Sequence, residues 1–141
     1  MRHLLFFCAM TLSTSAFAAL SHDIKTFSPS DLPWVETPEG VAFADLNGDR
    51  FSGPYQAMVK LPAGLVSPPH IKTANMFGVM ISGEMRHWRQ DQKPADVMPI
   101  GPGGFYQIPA EIPHQSACIS DIPCVAYLYQ DGAFDFNVVA Q

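Results

Sequence analysis

Two histidines that follow prolines are the residues of this sequence best suited to hold a metal ion. His70 comes directly after Pro68 and Pro69, and His114 comes directly after Pro113. An imidazole nitrogen is a good ligand for divalent transition metals such as zinc, iron, copper and nickel. Two ligands alone make a weak site, because a third protein ligand is usually needed. A single histidine is more often a hydrogen-bonded structural residue, so both interpretations stay open at this stage.

Lys72 lies two residues after His70, a spacing that places both side chains on the same face of a strand. A buried lysine is costly unless it is paired or solvated, so an inward Lys72 would indicate a polar cavity. It could then bind an anionic ligand, or serve as a base if its pKa were lowered. By residue type alone, a lysine that points to water is the commoner arrangement. Gln107, two residues before Pro109, is a further polar candidate for the cavity, and its alternative is an outward-facing strand position.

Residues 1–18 have the pattern of a secretory signal peptide. Arg2 supplies a positive charge, residues 4–12 form a short apolar run, and Ala16-Phe17-Ala18 is a small-x-small cleavage site. The apolar run is too short to span a bilayer, and no other segment of the chain could cross one. We therefore expect cleavage after Ala18, no membrane insertion afterwards, and a mature domain of residues 19–141 that is periplasmic or secreted.

Cys118 and Cys124 are the two cysteines that remain once the signal peptide is removed. In an oxidising compartment such a pair is most simply a disulfide. The turn residues between them predict a hairpin that joins strands over residues 115–119 and 124–130, which would place the two cysteines opposite one another. A redox-active thiol pair is the functional alternative, although the spacing is not Cys-x-x-Cys.

The size and composition of the chain predict one strand-rich domain. It has 141 residues, 48% of them hydrophobic and 15% charged, which suits a single buried core. Thirteen prolines and ten glycines interrupt the chain too often for a helix bundle. Apolar residues alternate with others over residues 55–61, as in a half-buried strand, whereas residues 34–40 have the composition of a loop. Many short strands with frequent turns predict an all-β sandwich or barrel.

Two segments resemble the two signature motifs of the cupin superfamily. The first family motif reads glycine, five residues, His-x-His, three or four residues, glutamate, six residues, glycine. Its matches here are Gly64, His70 and Gly83, with Lys72 in place of the second histidine and Met76 in place of the glutamate. The second motif reads glycine, five residues, Pro-x-Gly, two residues, histidine, three residues, asparagine. Its matches are Gly103, Pro109 and His114, with Glu111 in place of the glycine and Cys118 in place of the asparagine.

The chain is also similar to small exported cupin-like proteins of unassigned function, through residues 70–75, residues 101–104, the cysteine pair and the ending at residues 130–136. This resemblance implies an all-β fold, a single cupin-type β-barrel (jelly roll), and no established reaction. Cupin metal sites typically use three histidines and one glutamate. The resemblance therefore implies His70 and His114 as metal ligands and a divalent transition metal as the cofactor to test for. Asn75 and His87 are the residues that could compensate for the ligands this chain lacks.

Two functions of different classes follow from these features. The first is an exported binding module for a small polar or anionic molecule, and its ligand-binding candidates are Lys72, Asn75, His87 and Gln107. The second is a metal-dependent enzyme, an oxygenase or isomerase, with His70 and His114 as metal ligands. A structural role with a vestigial pocket is a third, so whether the chain is an enzyme stays open.

The expected partner of the chain is a small molecule rather than a nucleic acid. The formal net charge is −5, from 8 basic and 13 acidic side chains, and the chain has no basic run. A homodimer is a further expectation, because cupins often pair through their sheets. The apolar strand face of Val125, Tyr127 and Tyr129 could form that interface, or the N-terminal segment could cover it.

Overall fold

The computed structural model describes residues 23–140, and the predicted signal peptide lies outside the described residues. Within this range the chain forms ten strands and two single-turn 3-10 helices, Pro29–Asp31 and Pro94–Asp96. The strands are β1 (Trp34–Glu36), β2 (Ala42–Asn47), β3 (Tyr55–Leu61), β4 (His70–Ile71), β5 (Met76–Ser82), β6 (Met85–Arg89), β7 (Phe105–Ile108), β8 (His114–Cys118), β9 (Cys124–Gln130) and β10 (Asn137–Val138). Neither helix is long and apolar enough to cross a membrane.

The strands form two antiparallel sheets that enclose one core. The larger sheet has six strands in the order β1-β2-β3-β9-β5-β7, and the smaller has four in the order β10-β4-β8-β6. Residues of both sheets meet in one hydrophobic cluster, in which Met85 and Cys118 of the smaller sheet pack with residues such as Tyr55, Met80 and Leu128 of the larger one. The all-β jelly-roll fold expected from the sequence is confirmed, although the two sheets do not join into one closed barrel within residues 23–140.

Alternation along the central strands explains why the sheets pack on one face. In β3 every second residue is buried, from Tyr55 to Leu61, and β9 repeats the pattern from Cys124 to Gln130. Successive side chains of a strand point to opposite faces, so one face of each strand enters the core. These two strands pair along their full length, which places their buried faces side by side at the centre of the larger sheet.

Two local expectations from the sequence were wrong. Residues 34–40 were expected to form a loop, but Trp34–Glu36 is an edge strand paired with β2. The hairpin expected around residues 120–123 is also absent, because β8 lies in the smaller sheet and β9 in the larger one. Each strand pairs with other partners, so these four residues connect two sheets rather than two neighbouring strands.

The Cys118–Cys124 disulfide is present, and it joins the two sheets at this crossing. The Cα atoms of the two residues are 5.6 Å apart, and both side chains are almost fully buried. The bond links the last residue of β8 to the first residue of β9. It therefore closes one end of the core, at the point where the chain passes from the smaller sheet to the larger.

The backbone supports the match to the second cupin motif at the position where this chain departs from it. Glu111 replaces a motif glycine, and its φ is 62°, in the left-handed region that favours glycine. It is the only non-glycine residue between 23 and 140 that adopts a positive φ. Its N–H donates to the carbonyl oxygen of Lys72 at 2.8 Å, which ties the turn before β8 to the segment after β4.

Candidate ligand-binding site

Two neighbouring strands of the smaller sheet bring His70 and His114 together. The two residues are directly paired between β4 and β8, and their ring centroids are 4.3 Å apart. Both are buried, with 3% and 2% of their surface exposed. The prolines that precede them hold the chain in turns whose carbonyl groups lie close to the rings. The pairing predicted from motif spacing therefore corresponds to a contact in the fold.

Backbone carbonyl groups orient both imidazoles. The Nδ1 atom of His70 lies 2.9 Å from the carbonyl oxygen of Pro68, and that of His114 lies 2.8 Å from the carbonyl oxygen of Ile112. A carbonyl oxygen only accepts hydrogen bonds, so Nδ1 must carry the proton in each ring. A neutral imidazole has one N–H, so both Nε2 atoms are left as lone-pair acceptors.

Burial keeps these two histidines uncharged at neutral pH. It lowers the pKa of His70 to about 4, and nearby positive charge on His114 and Lys72 acts in the same direction. The hydrogen bond to Pro68 opposes this effect only in part. Burial also lowers the pKa of His114. Both rings therefore offer acceptor nitrogens at pH 7 rather than positive charge.

Lys72 supplies the buried charge of the site. Only 5% of its surface is exposed, and its Nζ donates a hydrogen bond to the backbone carbonyl oxygen of Asp135. The Nζ atom also lies 4.0 Å from the ring centroid of Phe134 and 5.2 Å from that of Phe136, within range of cation–π attraction. Burial lowers the pKa of Lys72 to about 8, while the Asp135 carboxylate favours its charged form. The side chain is thus mostly protonated at pH 7.

His87 lies on β6, opposite Ser116 of β8, and forms the third imidazole of the group. Its Nδ1 is 2.7 Å from the Ser116 hydroxyl, and its ring packs 4.2 Å from the ring of Tyr106. Burial is the main cause that lowers its pKa to about 3, and the nearby His114 and His70 contribute in the same direction. We call His70, Lys72, His87 and His114 the histidine–lysine cluster.

Two fully buried ring nitrogens of this cluster have no hydrogen-bond partner among the described residues. They are Nε2 of His87 and Nε2 of His114, and both are buried. An unsatisfied buried polar atom costs about 1–3 kcal/mol, so such atoms usually serve a ligand or an ordered water. For His114 the unpartnered atom is an acceptor. For His87 it can be either an acceptor or a donor, because the Ser116 hydroxyl can donate to or accept from the other ring nitrogen.

The other two predicted ligand-binding residues do not join this cluster. The Asn75 carboxamide is engaged elsewhere, since its Nδ2 donates to Asp131 at 2.7 Å and its Oδ1 accepts from the N–H of Ala110 at 2.9 Å. Gln107 lies on the exposed face of β7, whereas its neighbours Tyr106 and Ile108 are buried. Asn75 therefore connects loops, and Gln107 faces away from the core.

Several residues that contact the cluster were not proposed from the sequence. Phe136 stacks on His70 with ring centroids 4.0 Å apart, and Asp135 reaches Lys72 from a position 63 residues away. Tyr106 crosses over Gly78, where an added Cβ atom would overlap the tyrosine ring. A glycine directly opposite an aromatic residue often indicates such packing. The sequence alone does not show that Gly78 is opposite Tyr106, because that depends on the strand register.

The cluster does not supply a complete site for a transition metal. Among residues 23–140, no three side chains of histidine, cysteine, aspartate or glutamate come together in a way that could hold a metal ion. His70 and His114 would provide two ligands, and the ammonium group of Lys72 beside them would repel a cation. The sequence left the ligand set incomplete, and the fold does not complete it.

Comparison with known proteins supports this description of the fold. The family model of the ChrR cupin-like domain matches residues 23–131. Among solved structures, the polyketide cyclase RemF from Streptomyces resistomycificus has a TM-score of 0.66 at 18% identity, and the match covers 84% of this chain and 88% of that chain. KdgF from Halomonas sp. has a TM-score of 0.60 at 16% identity, covering 76% of this chain and 94% of that chain.

The complex of SigE from Rhodobacter sphaeroides with the anti-sigma ChrR also matches, with a TM-score of 0.57 at 19% identity. That match covers 74% of this chain and 51% of the other. At these identities the likeness to solved structures shows the fold alone, and no curated protein matches the chain. The family match spans most of the chain, and the jelly roll agrees with it. The chain therefore belongs to the ChrR cupin-like domain family of the cupin superfamily.

Proposed function

We propose that the histidine–lysine cluster binds a small anionic molecule that also carries a hydrogen-bond donor. The observation that carries this proposal is a buried, mostly protonated lysine beside two neutral histidines. A buried charge is costly to the fold unless it is paired and hydrogen-bonded, and a bound anion would supply that pairing. The ammonium group of Lys72 has three N–H bonds, and only one of them has a hydrogen-bond partner among the described residues, the carbonyl oxygen of Asp135.

The polarity of the cluster defines the chemistry of the ligand. Lys72 donates, so it favours a carboxylate or another anionic oxygen. His114 accepts through Nε2, which has no partner among the described residues, so it favours a hydroxyl or N–H group. A small hydroxy acid carries both groups and would satisfy both side chains. The corresponding acid without the hydroxyl would leave the His114 nitrogen unsatisfied and bind more weakly.

Matched pairs of acids that differ by one hydroxyl test this proposal. Propionate and lactate, succinate and malate, and phenylacetate and mandelate can each be titrated while the histidine side-chain nitrogens are followed by NMR. We expect the hydroxy acid of at least one pair to bind about tenfold more tightly than its partner, the factor for one additional hydrogen bond of about 1.4 kcal/mol. The His114 Nε2 resonance should shift with the hydroxy acid only.

Two substitutions distinguish the roles of Lys72 and His114. Lys72→Met should reduce the affinity for both acids of the matched pair, because it removes the positive charge. His114→Phe should reduce the affinity for the hydroxy acid to that for the acid without the hydroxyl, because it removes the hydrogen-bond acceptor and keeps a ring. Gln107→Ala is the control, since Gln107 is exposed on β7. Equal affinity of the two acids in every pair, unchanged by Lys72→Met, would contradict the proposal.

A metal-dependent enzyme is the second candidate, and one observation favours it. His87 and His114 each present an unpartnered Nε2, the atom through which a histidine commonly binds metal. This interpretation assigns His70 and His114 as ligands and an oxygenase or isomerase activity. Elemental analysis of protein purified without a histidine tag tests it. A stoichiometric transition metal that is lost in His70→Ala and His114→Ala would favour the enzyme over the metal-free binding module.

We also propose that the protein acts after export, in the periplasm or outside the cell. The signal-like pattern of residues 1–18 supports this, and so does the Cys118–Cys124 disulfide, since disulfides persist in oxidising compartments. The intact mass of protein recovered from the expressing cell tests it. Loss of residues 1–18 is expected, and full-length protein with three free thiols would contradict the proposal.

A homodimer through the outer face of the larger sheet is proposed on the basis of its apolar surface. Ile81, Phe105 and Val79 on this face are 52%, 60% and 37% exposed, and Tyr129 of β9 lies on the same side. Sedimentation of the parent protein and of Ile81→Lys tests this arrangement. We expect a dimer that the substitution dissociates. Val138→Lys is the control, because Val138 is exposed on the other sheet.

A further inference from the structure

We propose that residues 134–138 are a displaceable strap that competes with the ligand for Lys72. This C-terminal strap runs from Phe134 through β10, and it is the last part of the chain to contact the histidine–lysine cluster. The inference rests on the proposed function, because it concerns the same site. It adds that the free protein already holds an internal substitute for the ligand.

The strap occupies the position on Lys72 that an anionic oxygen would take. The backbone carbonyl of Asp135 accepts from the Nζ of Lys72. The Asp135 carboxylate lies alongside and accepts from the N–H of Thr73 at 3.0 and 3.2 Å. A neutral carbonyl is a weaker partner for an ammonium group than a carboxylate is. An anion that reaches Lys72 therefore makes a stronger hydrogen bond than the carbonyl it replaces, and it also repels the Asp135 carboxylate.

Aromatic side chains of the strap cover the cluster from the same side. Phe134 and Phe136 lie over the ammonium group of Lys72, and Phe136 also stacks on His70 at an interplanar angle of 20°. A ligand of any size cannot reach the ammonium group from this side while both rings stay in place.

The two ends of the strap are held to different extents. At the first end, the Phe134 ring packs edge-on against Phe43 at 5.3 Å and against Phe51 at 6.3 Å, which anchors it to the larger sheet. From there on, β10 is a two-residue strand that pairs only with the two-residue β4, at the edge of the smaller sheet.

Beyond β10 the chain is held by two hydrogen bonds near the surface, from the N–H of Val139 to Pro69 and from Gln90 to Ala140. Phe136 and Val138 are 41% and 64% exposed. Segments with so few buried contacts open at much lower cost than the core. The geometry therefore favours a hinge near Phe134, with residues 135–138 moving away from the cluster.

Chemical labelling of amines tests whether the strap covers Lys72. Brief reductive methylation followed by mass spectrometry compares the labelling rate of Lys72 with that of the exposed Lys93 in the same sample. The lowered pKa of Lys72 increases its fraction of reactive free amine, so slow labelling would have to come from the cover. We expect Lys72 to be labelled at least tenfold more slowly than Lys93, and about fivefold faster in Phe136→Ala than in the parent. Phe27→Ala is the matched control, since it removes a ring that is 45% exposed and takes no part in the aromatic contacts of the cluster. Equal labelling of Lys72 in both variants would overturn the strap as a cover.

Hydrogen exchange tests the competition itself, with the anion from the matched pairs that binds most tightly as the probe. If the strap is displaced, the amides of residues 137–139 exchange faster when the anion is bound, and Phe136→Ala binds the anion more tightly than Phe27→Ala does. Slower exchange of these amides on binding would mean that the strap closes over the ligand, and it would overturn the proposed competition. If no anion binds, the proposed function and the competition both fail, whereas the labelling rates still decide whether the strap covers Lys72.

Discussion

Replacing Lys72 with methionine should change the stability of the protein in a way that depends strongly on pH. Burial lowers the pKa of Lys72 to about 8, from 10.5 in the unfolded chain. Between these two values the unfolded state binds one more proton than the folded state, so stability rises with pH. Below pH 8 the lysine is protonated in both states, and the full cost of burying its charge is present. Above 10.5 the cost disappears.

The size of this effect follows from the difference between the folded and unfolded pKa of Lys72. A tenfold change in a proton-binding constant corresponds to about 1.4 kcal/mol, so protonated Lys72 costs the folded state about 3 kcal/mol at pH 7. At pH 10 the remaining cost is below about 1 kcal/mol. Methionine has a similar unbranched stem and no charge, so Lys72→Met carries no such cost at either pH. The parent should therefore gain about 2.5 kcal/mol relative to Lys72→Met between pH 7 and pH 10.

Urea unfolding of both proteins at several pH values measures this difference. Subtracting the two curves removes the contributions of the other titrating groups, which the proteins share. Lys93→Met is the control, because Lys93 is exposed. If the curves of the parent and Lys72→Met run parallel from pH 7 to pH 10, the side chain is not a buried ammonium group, and the electrostatic argument for anion binding is refuted.

Three further predictions concern stability and are checked by urea unfolding. Replacing both Cys118 and Cys124 with serine should lower the free energy of unfolding by about 2 kcal/mol, because the disulfide closes a short loop between the sheets. A smaller loss would mean that packing alone holds the crossing between the sheets. Gly78→Ala should lower the free energy of unfolding by about 1–3 kcal/mol, because the new methyl group overlaps the buried ring of Tyr106 on β7. Gly101→Ala is the control and should leave stability nearly unchanged, because its methyl group meets open space. Glu111→Gly should stabilise the protein by about 1 kcal/mol, because glycine adopts the left-handed conformation without strain, and a destabilised variant would show that the glutamate side chain contributes a contact.

Local patterns were enough to predict most of the strands. Alternation over residues 55–61 identified β3 correctly, because a strand with one buried face must repeat every two residues. The short edge strand Trp34–Glu36 was missed, because a strand of three residues is too short to show the two-residue alternation of buried and exposed side chains. The hairpin around residues 120–123 was also wrong, because turn composition does not reveal whether the chain returns to the same sheet or crosses to the other.

Motif spacing and tertiary structure contributed different parts of the site. The sequence by itself determined the family resemblance and singled out His70, His114 and the two cysteines as candidates, because motif spacing and residue type are properties of the chain alone, whereas the direct pairing of the two histidines came from the fold. Only the fold decided that Lys72 is buried, that Gln107 faces outward, and that Phe136 stacks on His70. The orientation of a side chain depends on which distant segment packs against it. The strap that covers Lys72 follows it by more than sixty residues, and no local pattern records that contact.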